Sequence, residues 1–231
     1  MEGEQFGGCS VLRVSGKVVV VPGLAVRTYA VAPVERLRRA GYDADLRPGV
    51  SWHGVPVDIA DYGRELGRRI AAAGEPVDVL VGLSAGTQAA AVTAATTSLV
   101  RHLVLVSPTL DPDRRKTLKM LAIFLRPNPN EKVNLFSEML PDWAKAGPVR
   151  ILRGFRSAAR LALEDVLGQV NAELTIVHGD YDQLTTYAYA ASLAAEFGGT
   201  LRLAPDGAHS WPTGDPDGFL DLIDDLVGVR R

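Results

Sequence analysis

Short apolar runs alternate along this chain with longer segments whose apolar residues recur at helical spacing. Lys17 to Val21, Tyr42 to Leu46, Val77 to Val81, Leu103 to Val106, Leu174 to Val177 and Thr200 to Ala204 read as strands, most of them apolar enough to be buried on both faces. Val31 to Ala40, Val57 to Ala73, Ala85 to about Thr97, Thr186 to Phe197 and Pro216 to Val227 read as helices. Gly41 and Gly74 stand where the first two of these should stop. The alternation predicts an α/β fold, a mostly parallel central sheet with helices on both faces. Val11 to Val14 could supply at most one further short strand at the beginning.

The pattern breaks between residues 109 and 167. Some 60 residues lack a clear strand there, and their apolar positions keep a helical period, so they are expected to form a helical lid inserted over one edge of the sheet. Composition adds a charge asymmetry. Residues 114 to 160 hold eleven Lys and Arg against Glu131, Glu138 and Asp142, a charge of +8, while the remainder carries -10 to give the net -2. Arg150, Arg153, Arg156 and Arg160 recur at helical spacing opposite Ile151, Leu152, Phe155 and Ala159, which reads first as a solvated helix face and second as a weak pointer to an anionic or carrier-bound substrate.

With 47% hydrophobic and 23% charged residues, the 231 residues suit a single ordinary globular domain. A net charge of -2 gives no reason to expect nucleic acid as a partner. The apolar run Val18 to Val21 is far too short to span a bilayer, so no membrane is expected, and Met1-Glu2-Gly3-Glu4 lacks the basic start of a signal peptide. The lone Cys9 excludes an internal disulfide. A cytoplasmic location is the expectation that follows.

One motif carries chemistry. Gly82-Leu83-Ser84-Ala85-Gly86 lies between a predicted strand and an alanine-rich predicted helix. As a bare pattern it has roughly 0.1 chance occurrences in a chain with this many glycines and serines. Its setting is what gives it weight, because a serine displayed on a sharp strand-to-helix turn needs small residues two positions away on either side. The helix that follows also aims free N–H groups and the positive end of its dipole at the place where an oxyanion would form. No Lys stands at the phosphate-loop position and no G-x-G-x-x-G is present, so a nucleotide site is disfavoured.

A serine nucleophile needs a base, and four histidines are available. His102 lies between a helix end and a strand, and His178 at a strand end, where structural roles suffice. His53 sits in the Gly- and Pro-rich loop Arg47 to Gly54 and could touch substrate. His209, in Asp206-Gly207-Ala208-His209-Ser210-Trp211, follows the last strand, where a loop delivers side chains to the C-terminal edge of a parallel sheet. The acid that orients it should come from another loop at that edge. Asp182 in Val177-His178-Gly179-Asp180-Tyr181-Asp182 satisfies this, with Asp180, Asp111 and Asp113 as competitors.

These residues, from Val18 to Val227, resemble the α/β-hydrolase superfamily, whose nucleophile, acid and base occur in the order seen in Ser84, Asp182 and His209. The resemblance implies an α/β-hydrolase fold, with Asp182 as the acid after its Gly-x-x-Asp turn and Gly207-Ala208-His209 as the histidine loop. It also implies an oxyanion hole from the backbone N–H of Ala85 and of Leu24, although the frequent His-Gly of that second turn is here Pro22-Gly23. The expected activity is hydrolysis of a small-molecule ester or thioester with no cofactor and no metal. An acyltransferase, cyclase or lyase-type reaction in the same pocket, or a non-catalytic binding protein on the same fold, are the alternatives. Phe124, Phe136, Met139, Trp143 and Phe155 are the insertion's apolar candidates for facing substrate rather than core.

Overall fold

A computed structural model describes residues 16–109, 111, 126, 128–132 and 135–229. Its centre is a six-stranded sheet in which every pairing is parallel. The strands are β1 (Lys17–Val21), β2 (Asp43–Leu46), β3 (Val77–Leu83), β4 (Val100–Val106), β5 (Glu173–Gly179) and β6 (Thr200–Ala204), in spatial order β2-β1-β3-β4-β5-β6. The central runs are apolar on both faces because both faces are covered.

Helices α1 (Val31–Ala40), α8 (Trp211–Gly214) and α9 (Pro216–Leu226) cover one face, where Leu37, Phe219 and Ile223 pack on Val18, Val20 and Val79. Helices α2 (Ile59–Ala73), α3 (Gly86–Thr96), α6 (Glu164–Leu167) and α7 (Tyr187–Glu196) cover the other, with Leu66, Ala90 and Leu193 against Val19, Leu80 and Leu103. Helix α3 is buried from Gly86 through Ala94, which explains its alanine-rich, non-amphipathic sequence: it lies between the sheet and α2 and has no solvent face to make polar.

The six strands and five helices predicted from Lys17 onward all appear, most with shifted ends. Helix α2 begins at Ile59 rather than Val57 because the Asp58 side chain accepts from the N–H groups of Ala60 and Asp61 and so fixes the start. Tyr42 lies in the turn that closes α1 and not in β2, since its N–H turns back to Leu37 O (3.2 Å) beside Gly41 at φ 103°. Strand β4 starts three residues earlier than expected, because Val100 and His102 pair with Val77 and Val79. The short helix α8 was not expected.

Within the expected 109–167 insertion lie α4 (Leu135–Ala146), α5 (Pro148–Arg160) and α6. Polar side chains fasten α4 and α5 to the sheet's C-terminal loops. Asp142 accepts from the N–H groups of Arg27 and Thr28 (2.9 and 2.8 Å), and Trp143 Nε1 donates to Leu24 O (3.0 Å). Ser157 accepts from Ile59 N–H and donates to Asp58 (2.9 and 2.8 Å), while Gln88 Nε2 donates to the carbonyls of Ala158 and Leu161. Arg150 corrects the reading of a fully solvated arginine face: half-buried, it donates to the carbonyls of Ser51, Trp52 and Val55 at 2.7 to 3.1 Å. Arg153, Arg156 and Arg160 are exposed as expected, but Leu152, expected on the inner side, is 46% exposed. The reason is geometric, since the face of α5 that packs inward runs through Gly154, Ser157 and Ala158. Cys9 and Val11 to Val14 lie outside the described residues.

Among the described residues no helix is long and apolar enough to cross a membrane.

Candidate active site

The strand order reverses direction at β1 and β3, and the crevice beyond the C-terminal ends of those two strands is where an open parallel sheet leaves room for a ligand. Ser84 follows β3 into that crevice. Its φ of 55° is one a serine adopts only under constraint, and the constraint is visible in the packing. A Cβ on Gly82 would lie 2.5 Å from Thr87 Cα, and one on Gly86 would lie 2.1 Å from Val21 O, so larger residues would push α3 off the sheet. Ser84 N–H donates to Val106 O (3.0 Å), and its carbonyl accepts from Thr87 N–H (3.0 Å) and Oγ1 (2.6 Å). The turn is thereby held from both sides with the hydroxyl free to meet its neighbour.

That neighbour is His209, whose Nε2 lies 2.8 Å from Ser84 Oγ. Its Nδ1 lies 3.0 and 3.1 Å from the two carboxylate oxygens of Asp182. A carboxylate can only accept, so Nδ1 carries the proton and Nε2 is left to accept from the serine hydroxyl. Asp182 also accepts from the N–H groups of Leu184 (2.8 Å) and Thr185 (3.1 Å). The acid's side chain is fully enclosed, and the histidine's is 8% exposed. Burial pushes the Asp182 carboxyl up, but the facing imidazole and these hydrogen bonds outweigh it and hold the group well below the usual carboxylate range. Burial likewise pushes His209 down, and here too it is outweighed: the Asp182 charge and hydrogen bond, with a smaller contribution from Glu131, raise it above its ordinary value.

The turn after β1 closes on the same point. Gly23 is so near that a Cβ there would lie 3.3 Å from Ser84 Cβ, and its N–H is held by the buried Tyr29 hydroxyl (2.9 Å). Leu24 bridges to Val50, and the bond that closes the bridge uses Ala25 N–H to Val50 O (2.6 Å) rather than the N–H of Leu24. Leu24 and Ala85 both line a cavity of about 50 Å³ with Ser84 and His209, whose other walls include Val26, Met139, Trp143, Phe155 and Leu184. Trp143 and Phe155 meet edge to face at 6.3 Å. A larger groove of about 520 Å³ at the β6 edge contains none of Ser84, His209 and Asp182.

A family model described as the alpha/beta hydrolase family matches residues 18–222, most of the chain and all of this site. The chain belongs to the alpha/beta hydrolase family. Solved structures share the fold at low identity. E-2-(acetamidomethylene)succinate hydrolase is 15% identical with a TM-score of 0.71, over 93% of this chain and 92% of that one. A bromoperoxidase from Bacillus anthracis is 18% identical with a TM-score of 0.68, over 92% of each chain. A hydrolase from Pseudomonas aeruginosa is 16% identical with a TM-score of 0.68, over 93% and 91%. No curated protein matches the chain by sequence.

In this member of the alpha/beta hydrolase family the structure brings Ser84, His209, Asp182, Leu24, Ala85, Trp143 and Phe155 to one place. Asp180 is exposed, and Asp111 instead accepts from Thr186 Oγ1 (2.7 Å); Asp113, Phe124 and the side chain of Phe136 lie outside what is described. His53 corrects an expectation. It is absent from the cavity wall and its Nε2 meets the carbonyl of Lys145, because the loop that carries it packs against the end of α4. His102 pairs with Glu173 (3.4 Å) at the far end of the sheet, and His178 stacks edge-on with Tyr187. Glu131 went unnoticed in the sequence. It accepts from Ser210 Oγ next to His209, while Asn128 Nδ2 donates to Tyr181 O (2.9 Å) in the acid's loop, so one short segment touches both. Nothing in local pattern singles out a glutamate whose partner lies 79 positions away. Among the described residues no group of His, Cys, Asp and Glu is placed to hold a metal ion.

Proposed function

We propose that this protein is a serine hydrolase acting on a small ester or thioester through an acyl-enzyme. The observation that carries the reading is the unbroken line from Asp182 through His209 to Ser84 Oγ, with the closest step at 2.8 Å. Ser84 Oγ attacks the carbonyl carbon while His209 Nε2 takes the hydroxyl proton. The carbonyl oxygen becomes an oxyanion facing the N–H groups of Ala85 and Leu24. Asp182 stabilises the imidazolium without taking its proton. Collapse of the tetrahedral species expels the alcohol or thiol, to which His209 returns the proton, leaving an acyl group on Ser84. Water then repeats the sequence: His209 accepts its proton, hydroxide adds to the acyl carbon, and the acid leaves as Ser84 recovers the proton. The scheme consumes one water and requires no cofactor.

The cavity of about 50 Å³ beside Ser84 supports a short acyl portion, since it has room for only a few heavy atoms. Covalent labelling by a fluorophosphonate tests the reading. Wild-type protein is expected to be labelled and Ser84→Ala not; equal signal from both would end the proposal. If acyl transfer to another nucleophile replaced water, turnover in ¹⁸O-enriched water would leave the carboxyl product unlabelled, whereas hydrolysis incorporates solvent oxygen.

A further inference from the structure

The polar side chains on the wall of the Ser84 cavity can be accounted for one by one. Ser84 and His209 bond each other, Ser210 donates to Glu131, the Tyr29 hydroxyl holds Gly23 N–H, and Trp143 donates to Leu24 O. Thr109 breaks the series. The residue lines the same cavity and is only 7% exposed, and among the described residues its Oγ1 has no hydrogen-bond partner. A buried hydroxyl left unpaired is destabilising, and native proteins keep few of them without a reason.

The loop that carries it is fixed rather than loose. Ser107 N–H donates to Val177 O (2.9 Å), Thr185 Oγ1 donates to Pro108 O (3.0 Å) and Thr186 Oγ1 donates to Asp111 (2.7 Å), so residues on both sides of the threonine are tied to β5 and the loop after it. The cavity is otherwise mainly apolar, with Met139, Phe155 and Leu184 among its walls. A pre-positioned hydroxyl in apolar surroundings discriminates strongly between ligands that can pair with it and ligands that cannot.

We infer that Thr109 is a specificity residue whose hydroxyl pairs with a second oxygen of the substrate, so that the natural substrate is a small oxygenated ester or thioester (ether, keto or hydroxy) rather than a plain alkyl one. The inference rests on the serine-hydrolase reading and adds the substrate class to it.

The test compares wild type with Thr109→Val, which keeps the shape and removes the hydroxyl, and with Thr109→Ser, which keeps the hydroxyl. Two matched ester pairs serve as probes: 4-nitrophenyl methoxyacetate against 4-nitrophenyl butyrate on the acyl side, and 2-methoxyethyl acetate against butyl acetate on the alcohol side. Each pair exchanges one CH₂ for one oxygen, so intrinsic reactivity cancels in the ratio of ratios. In wild type and Thr109→Ser, the kcat/KM preference for the oxygenated member of one pair is expected to exceed that in Thr109→Val by about tenfold. The pair that responds identifies which half of the substrate Thr109 reads. Both pairs unchanged in Thr109→Val would overturn the inference. Unchanged ratios with fluorophosphonate labelling of Ser84 intact would overturn the inference and leave the serine-hydrolase reading standing, whereas absence of labelling would remove that reading itself.

Discussion

His209 links two pH dependences that run in opposite directions. Its folded-state pKa is raised above 6.5, so the neutral form that accepts the serine proton is lost as pH falls through that raised value. The acid limb of kcat/KM is therefore expected to have its midpoint above pH 6.5. The same shift means that protonated His209 favours the folded state: this stabilisation is complete below pH 6.5 and disappears as pH rises through the raised value. Asp182 behaves conversely, stabilising the fold above pH 3.8 and ceasing to do so as pH falls through its depressed value. Glu131 adds negative charge beside the imidazole, so Glu131→Gln should move the acid limb of kcat/KM to lower pH. An unmoved limb would show that its bond to Ser210 serves loop position alone. The three residues Ser84, Asp182 and His209 were legible in sequence because each follows a strand whose C-terminal end can be read from apolar runs. Glu131 and Thr109 were not, since their significance comes from contacts made across the fold and, for Thr109, from a missing one.

At the scale of elements, strands and sheet-covering helices were legible almost throughout, while their ends were set by side chains that periodicity does not weigh, such as Asp58 at the start of α2. The helices over the site were less so. Arg150 looks in sequence like one member of an exposed row, yet it spends its guanidinium on three carbonyls of the loop after β2. Arg150→Met is expected to cost about 1.5–3 kcal/mol, the range for hydrogen bonds from a charged group, and to lower Tm by several degrees; Arg153→Met, from an exposed position on the same helix, should change it little. Equal Tm values for the two variants would show that the clamp does not matter. Trp143→Phe keeps the ring near Phe155 but removes the bond to Leu24 O, so it should lower kcat more than it lowers Tm if that bond aims the Leu24 N–H.

The whole molecule divides its charge unevenly, +8 over residues 114 to 160 against -10 elsewhere. Helix α5 carries part of the positive side as Arg153, Arg156 and Arg160, while its opposite side supplies Phe155 and Ala158 to the cavity. If this field draws anionic substrates inward, kcat/KM for a carboxylate-bearing ester should fall several-fold between about 10 and 300 mM salt, with a neutral ester unaffected. Parallel behaviour of the two esters would rule out steering.

The fastening of α4 and α5 reaches further than stability. Asp142, Trp143, Arg150 and Ser157 attach these helices to the loops after β1 and β2 and to the start of α2, and Gln88 attaches the end of α5 to α3. If helices fastened at five places hold still, they act as a sieve rather than as a door. Molecules would then be sorted by size before any bond is broken, and rates across a homologous series of acyl chains should drop abruptly at one length instead of declining gradually.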